Sequence, residues 1–463
     1  MGALKLAAVL GLVSVLLGYY FLKDTDVEPP KMADQWWGKG ATPKEDSKDI
    51  IKFEIRVNAT EIDGLKLRLE NTRYFEALED VQSFQYGFHA TYMKQVVNYW
   101  MESYLPNWAK HEEHLNKFPH FKTMIGGIMV HFIHIKPKLK TGQTSTPLVL
   151  MHGWAGSVYE FYRAIDLLTD QRSDTVFEII CPSIPGFGWS EAPHRAGFDQ
   201  VATARVFLRL MDRLELNRFY IQGGDWGFIV AKYMALLQPA KILGLHMNMA
   251  VYQFPWSPTL GGMARQLIAD KFPALFVKTE DMWKVINTAE KLMFWVQEMG
   301  FFHLQATKPD TVGFGLTDSP VGLAAYILEK FSTLTNEDYR NAPDGNLEKD
   351  FSLDDLLTNV MVYWTTNTIT SSMRYYKEFF EREGNEKFNA KVKSVPTGLA
   401  CYSNEVGGCA PKEFTDLNYL NTIHYSDAPK GGHFAAFEVP DYFVKDIKTF
   451  VNKVEKLKKD ETE

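Results

Sequence analysis

Three short glycine-rich stretches carry residue types that do covalent chemistry. Gly223-Gly224-Asp225-Trp226-Gly227 follows the apolar run Phe219-Tyr220-Ile221-Gln222 and precedes another, Phe228 to Leu237. Strand, tight turn and helix in that order form a nucleophile elbow, where flanking glycines relieve crowding and the central side chain stands above a sheet. Asp225 holds the nucleophile position. A carboxylate attacking an acyl ester gives an unproductive anhydride. One attacking a saturated carbon, in an epoxide or alkyl halide, gives an ester on the enzyme. The competing use of Asp225 is a helix N-cap. A second stretch, His152-Gly153-Trp154-Ala155-Gly156, follows Leu148 to Met151. Such a loop supplies one oxyanion-hole N–H, from Trp154, and the residue after the nucleophile, Trp226, supplies the other. The third, Lys430-Gly431-Gly432-His433-Phe434, sets a histidine on a tight loop. His433 there activates water, oriented by Glu405, which lies between nucleophile and histidine in the chain. Rival acids are Asp416 and Asp427, the latter reading as a turn cap. Water then attacks the enzyme's own ester.

These loops need a rigid frame. Alternation over Met129–Ile135 and the apolar runs Pro147–Met151, Phe177–Pro182 and Phe219–Gln222 read as strands. Tyr159–Leu168, Ala204–Leu214 and Phe228–Leu237 read as helices between or after them. Strands alternating with helices give a mostly parallel sheet. From about Asn248 to Tyr376 the chain turns helix-rich and aromatic, and Val395–Cys401 returns as a strand. An inserted helical unit in an α/β sheet is the economical reading. The three loops, in the order nucleophile, acid, histidine, then point to the α/β-hydrolase fold.

The 463 residues divide as an N-terminal anchor (1–23), a linker and N-terminal helical region (24–123), a first core part (124–247), a helical cap (248–376) and a second core part (377–463). Leu6 to Leu22 runs without a charge, at the low end of the ~17–25 residues that span a bilayer. Its end, Gly18-Tyr19-Tyr20-Phe21-Leu22, lacks a small-residue cleavage site and has the aromatics of an interfacial belt, which favours an uncleaved anchor over a signal peptide. Trp36-Trp37 sits at the membrane surface or docks on the main domain. The net charge of −7 gives no electrostatic footprint for nucleic acid. Cys181, Cys401 and Cys409 make no disulfide framework and suggest a reducing compartment. No metal-ligand spacing occurs. Asn58-Ala59-Thr60 is a lone glycosylation triplet, read as unmodified.

The cap carries longer blocks: Thr307-Lys308-Pro309-Asp310-Thr311-Val312-Gly313 and Asp318-Ser319-Pro320-Val321-Gly322-Leu323-Ala324-Ala325-Tyr326-Ile327-Leu328-Glu329-Lys330-Phe331. With Gly431-Gly432-His433-Phe434-Ala435-Ala436-Phe437-Glu438 and Trp36-Trp37-Gly38, the chain resembles the microsomal and juvenile hormone epoxide hydrolases over nearly its whole length. The resemblance implies Asp225 as nucleophile, His433 as general base and Glu405 as its charge partner. It implies no cofactor and no metal, a lipophilic epoxide substrate, and an endoplasmic reticulum membrane anchor with a cytosolic hydrolase domain. It leaves oligomeric state open. Two departures stand out. The family's cap presents two tyrosines to the epoxide oxygen; Tyr376 matches one proton donor, and the other position holds Phe301. Losing one donor of such a pair costs ~10- to 100-fold in rate. The oxyanion loop carries Ala155 in place of a proline held in cis. A cis bond before alanine costs about 3–4 kcal/mol, so a trans, reshaped loop is expected. These departures keep a catalytically impaired, ligand-binding homologue as an alternative. Haloalkane dehalogenase is a further one, because that family also pairs an elbow Asp with a following Trp.

Overall fold

The computed structural model describes residues 27–41, 46–249, 268–275, 277–284, 288–406 and 408–460. Among them, nine strands form one sheet: β1 (Ile50–Phe53), β2 (His120–Ile125), β3 (Ile128–Ile135), β4 (Ser145–Met151), β5 (Val176–Pro182), β6 (Phe219–Gly223), β7 (Ile242–Met247), β8 (Thr397–Tyr402) and β9 (Thr422–Ala428). Their spatial order is β1-β2-β3-β5-β4-β6-β7-β8-β9. Pairing is antiparallel from β1 to β5 and parallel from β5 across to β9. In the parallel half every carboxyl end points to one edge, so the loops after β4, β6, β8 and β9 meet there. Those loops hold Trp154, Asp225, Glu405 and His433. β6 and β8 are buried at every residue, which is why they read as continuous rather than alternating runs.

Helices cover the sheet. α1 (Ala59–Glu70), α2 (Ala90–Tyr99) and α3 (Trp108–Leu115) precede β2, and α4 (Tyr162–Leu168), α5 (Gln200–Arg213) and α6 (Trp226–Leu237) lie between core strands. Asn58, the glycosylation candidate, caps α1 through its side-chain oxygen. Between β7 and β8 the chain forms the cap: α7 (Thr288–Glu298), α8 (Gly300–Thr307), α9 (Pro309–Asp318), α10 (Pro320–Thr333), α11 (Leu353–Thr366) and α12 (Ile369–Glu381). Ser319 caps α10, with Pro320 at the first helical position where its missing N–H costs nothing. α12 buries Ser372, Met373, Tyr376 and Phe379 at helical spacing, which turns Tyr376 toward the sheet edge. α13 (Pro440–Asp460) closes the chain and buries Phe443, Ile447, Phe450 and Val454 along one stripe.

The structure corrects three expectations and decides a fourth that stood open. The region read as mostly helical up to about 123 contributes β1, and β2 begins at His120, so the sheet starts before the assigned core. The stretch read as a linker is fastened down: Arg205 and Arg209 of α5 donate to the carbonyls of Lys31 and Ala33. Trp37 docks on the domain, buried and edge-on to Phe198 at 4.9 Å. Cys401 and Cys409 form a disulfide, because the loop after β8 folds back and brings their Cα atoms to 5.4 Å. Among the described residues no helix is long and apolar enough to cross a membrane. The run Leu6 to Leu22 lies outside them.

Candidate active site

The elbow has the geometry its glycines require. Asp225 takes φ 48° and ψ −128°, a left-handed conformation rare for a residue with a side chain. A Cβ on Gly223 would sit 2.4 Å from the Gly227 carbonyl oxygen, and one on Gly227 would sit 2.1 Å from that of Met151. Only glycine fits at either place. Asp225 makes no capping bond to α6, so its carboxylate is free for other work. The Trp154 N–H donates to Asp225 Oδ1 at 2.7 Å. His433 Nε2 lies 3.5 Å from Oδ2, and His433 Nδ1 lies 2.9 Å from Glu405 Oε1. The other two acids are engaged elsewhere, Asp416 with Lys412 and Asp427 with Lys284. Trp226 is the first residue of α6, with its indole edge-on to Tyr376 at 4.6 Å.

Charge around His433 is unusual. Burial alone would lower its pKa, but the Glu405 and Asp225 carboxylates outweigh burial and hold it well above the ordinary range. The loop is pinned from behind. The Gly432 and Phe434 N–H groups, one on each side of His433, both donate to the Glu438 carboxyl at 2.7 and 2.8 Å. Burial pushes Glu438 up to about 8 against the pull of those two bonds. His152 is structural: burial lowers it to about 4, its Nε2 accepts the Ile184 N–H, and its Nδ1 faces the Gly153 carbonyl.

The oxyanion loop departs from expectation. The Trp154–Ala155 peptide is cis, not trans. Cap residues surround it: Asn359 donates to the Ala155 carbonyl at 2.8 Å and Tyr363 to that of Gly156 at 2.7 Å, both from α11. The Trp154 N–H therefore keeps its aim at Asp225. Phe301 of α8 stacks on Trp154 with ring centroids 5.2 Å apart, while Tyr376 meets the same indole edge-on at 6.0 Å. Phe301 and Tyr376 thus both pack on the Trp154 indole, with their own rings 6.4 Å apart, and of the two only Tyr376 carries a hydroxyl. Burial, then the Asp225 charge, keeps the Tyr376 hydroxyl protonated.

Two cavities adjoin Asp225. One of about 50 Å³ is mostly apolar, lined by Trp226, Ile229, Met249, Phe302, Tyr376 and Phe379 among others. The second, about 20 Å³, lies on the His433 side and includes Asn248 and Glu160. Sequence reasoning missed Asn248, Glu160, Asn359 and Tyr363, and left Glu438 inside a motif without a task. None carries a local signature: Asn359 and Tyr363 act on a loop distant in the chain, and Glu438 on N–H groups four and six residues away. Among the described residues no group of His, Cys, Asp or Glu is arranged to hold a metal ion.

A parallel sheet with a carboxylate at the elbow, an N–H from the β4 loop and a His–Glu pair at the same edge defines an α/β hydrolase. The chain matches the model of the epoxide hydrolase N terminus over residues 50–161 and that of the alpha/beta hydrolase fold over 146–396. It is 44% identical to epoxide hydrolase 1 of Sus scrofa over 97% of this chain and 98% of that one. It is 41% identical to juvenile hormone epoxide hydrolase 1 of Ctenocephalides felis, covering 96% and 94%. The crystal structure of juvenile hormone epoxide hydrolase from the silkworm Bombyx mori superposes with a TM-score of 0.87 at 39% identity, covering 92% of this chain and 99% of that one. The chain belongs to the epoxide hydrolase family.

Proposed function

We propose that this chain converts lipophilic epoxides to diols in two steps. Trp154 holds Asp225 Oδ1, so Oδ2 is the oxygen that attacks an epoxide carbon. The C–O bond of the ring breaks, Tyr376 gives its proton to the departing oxygen, and Asp225 becomes a hydroxyalkyl ester. That step consumes the Asp225 charge. His433 thereby loses one of the two carboxylates that favour its protonated form; its proton passes to the Tyr376 phenolate, and the neutral imidazole is a base. Water gives it a proton and attacks the ester carbonyl. The oxyanion forms on the oxygen facing the Trp154 N–H, with Trp226 as second donor. Collapse releases the diol, whose oxygen takes the proton from His433, and leaves Asp225 as a carboxylic acid, which returns its proton to His433 and so restores the carboxylate. Glu405 keeps the imidazole oriented throughout. No metal or cofactor enters this sequence.

The observation that carries the reading is the Asp225 carboxylate held between the Trp154 N–H and His433. The apolar lining of the cavity beside it supports a lipophilic substrate. Diol formation from styrene oxide or a juvenile hormone tests it directly. No diol, with binding retained, marks the impaired-homologue reading, and halide release from a haloalkane marks a dehalogenase. The reading extends to an endoplasmic reticulum anchor at residues 1–23, supported by the charge-free run Leu6 to Leu22 and by the apolar substrate. The side of the membrane is a separate matter. Sparse cysteines argued for the cytosol, and the Cys401–Cys409 disulfide removes that argument. Protease digestion of intact microsomes decides: cleavage of the hydrolase domain supports the cytosolic side, and full protection puts it in the lumen.

A further inference from the structure

Ester hydrolysis needs a water beside His433 Nε2, and the ~20 Å³ cavity on that side is large enough for one. A water held there requires at least two polar partners. His433 and Asp225 line the cavity, and so does Glu160. Glu160 belongs to the short helical turn Val158–Phe161, next to the oxyanion loop, and Ser157 caps that turn through its hydroxyl. The Glu160 carboxyl has no hydrogen-bond partner among the described residues, and the residue is half-buried against the loop. A Cβ added to Gly156 would come 2.1 Å from Glu160 Oε2 and 3.7 Å from the Gly153 carbonyl oxygen. Gly156 therefore keeps open the space this carboxyl occupies. Asn248 also lines the cavity, but its Oδ1 already accepts from Gln222.

We propose that Glu160 holds the hydrolytic water, accepting one of its hydrogens while His433 Nε2 takes the other, so that an oxygen lone pair faces the Asp225 ester. Burial is the largest influence on Glu160 and drives its carboxyl toward the neutral form. A neutral carboxyl still accepts through its carbonyl oxygen. It also adds no third negative charge beside Glu405 and Asp225. Glu160 is thus a water-positioning residue of the second step only, and the proposal rests on the two-step reading above.

Single-turnover kinetics with a reference epoxide test this, following ester formation and ester decay separately by mass spectrometry. In Glu160→Ala, ester formation stays within about twofold while decay slows by roughly 10- to 100-fold, the scale set by misplacing a reactant by about 1 Å. In the steady state kcat and KM fall together and kcat/KM holds. Glu160→Gln, which keeps the carbonyl acceptor, recovers most of the decay rate. Gly156→Ala reproduces slow decay with Glu160 intact, by displacing its carboxyl. Equal slowing of both steps in Glu160→Ala would reveal a structural role and overturn the proposal, as would decay at the wild-type rate. Absence of any ester in the wild-type enzyme would instead defeat the two-step reading itself.

Discussion

Two buried clusters in this molecule are built from the same residue types and do opposite things. At the sheet edge one histidine, His433, stands between two carboxylates, Glu405 at 2.9 Å and Asp225 at 3.5 Å. Elsewhere one carboxylate, Asp446 of α13, stands between two histidines, His246 of β7 and His424 of β9, each at 2.8 Å. Both Asp446 oxygens are thus engaged, and Lys453 meets the far nitrogen of His424 at 2.9 Å. Burial would raise Asp446, yet the two histidine bonds hold it well below the ordinary range. It has no oxygen left to react. In the first cluster the excess is carboxylate, Asp225 Oδ2 is beyond normal hydrogen-bond length from His433, and cavities open beside it. A His–carboxylate pair becomes catalytic where the carboxylate is left incompletely satisfied and faces space; where both carboxylate oxygens are answered, it is a rivet.

Substitutions can break that contrast at either end. The largest effect belongs to Asp225→Asn, which removes the nucleophile: turnover falls by on the order of 10⁴-fold or more, and intact-protein mass shows no epoxide adduct. Next comes His433→Gln, where loss of the general base slows ester hydrolysis by about 10²- to 10⁴-fold while the first step survives, so the adduct accumulates and is counted by mass. Phe301→Tyr restores a second hydroxyl beside Tyr376 and raises the ring-opening rate ~10-fold in stopped-flow single turnovers. An unchanged rate there would mean that Phe301 does not face the epoxide oxygen.

The rivet responds in another currency. Asp446→Asn costs about 2–3 kcal/mol of stability in urea denaturation, with kcat/KM within about twofold of wild type. The sign in pH follows from its depressed pKa. The stability Asp446 contributes is present above the ordinary carboxylate range and is lost as pH falls through the lower folded value, so the variant loses less on acidification. Glu438 behaves oppositely. Its pKa is raised from 4.5 to about 8, so the folded state holds the extra proton, and stability declines as pH rises across that window. Glu438→Gln removes this slope, with no effect expected on ester chemistry, measured as the difference in denaturation midpoint between about pH 5 and about pH 9.

The parts of the site legible in the sequence are those whose cause is local. Asp225 and His433 sit in glycine-bounded loops, and the glycines announce the tight turns before any fold is known. Glu405 was readable because it directly follows a strand. The oxyanion loop was half legible. Trp154 was expected as a donor, but the trans peptide was inferred from the residue Ala155 alone, without the cap residues Asn359 and Tyr363 that hold the neighbouring carbonyls. Asn359 lies 204 residues further along the chain. Glu160 and Glu438 were illegible for another reason, since Glu438 bonds N–H groups only four and six residues away. What matters is which way a side chain faces, and only the packed loops decide that. β1 escaped notice as a four-residue edge strand whose partner lies beyond three helices. The disulfide escaped because cysteine spacing does not encode how a loop folds back.

The central claim is that Asp225 becomes covalently bound to substrate and that water attacks its own carboxyl group. Single turnover with enzyme in excess over epoxide, in heavy-oxygen water, tests it most directly. The expected result is one heavy oxygen in the peptide containing Asp225 and a diol that carries the enzyme's light oxygen. Heavy oxygen found only in the diol, with an unlabelled Asp225 peptide, would contradict the ester mechanism.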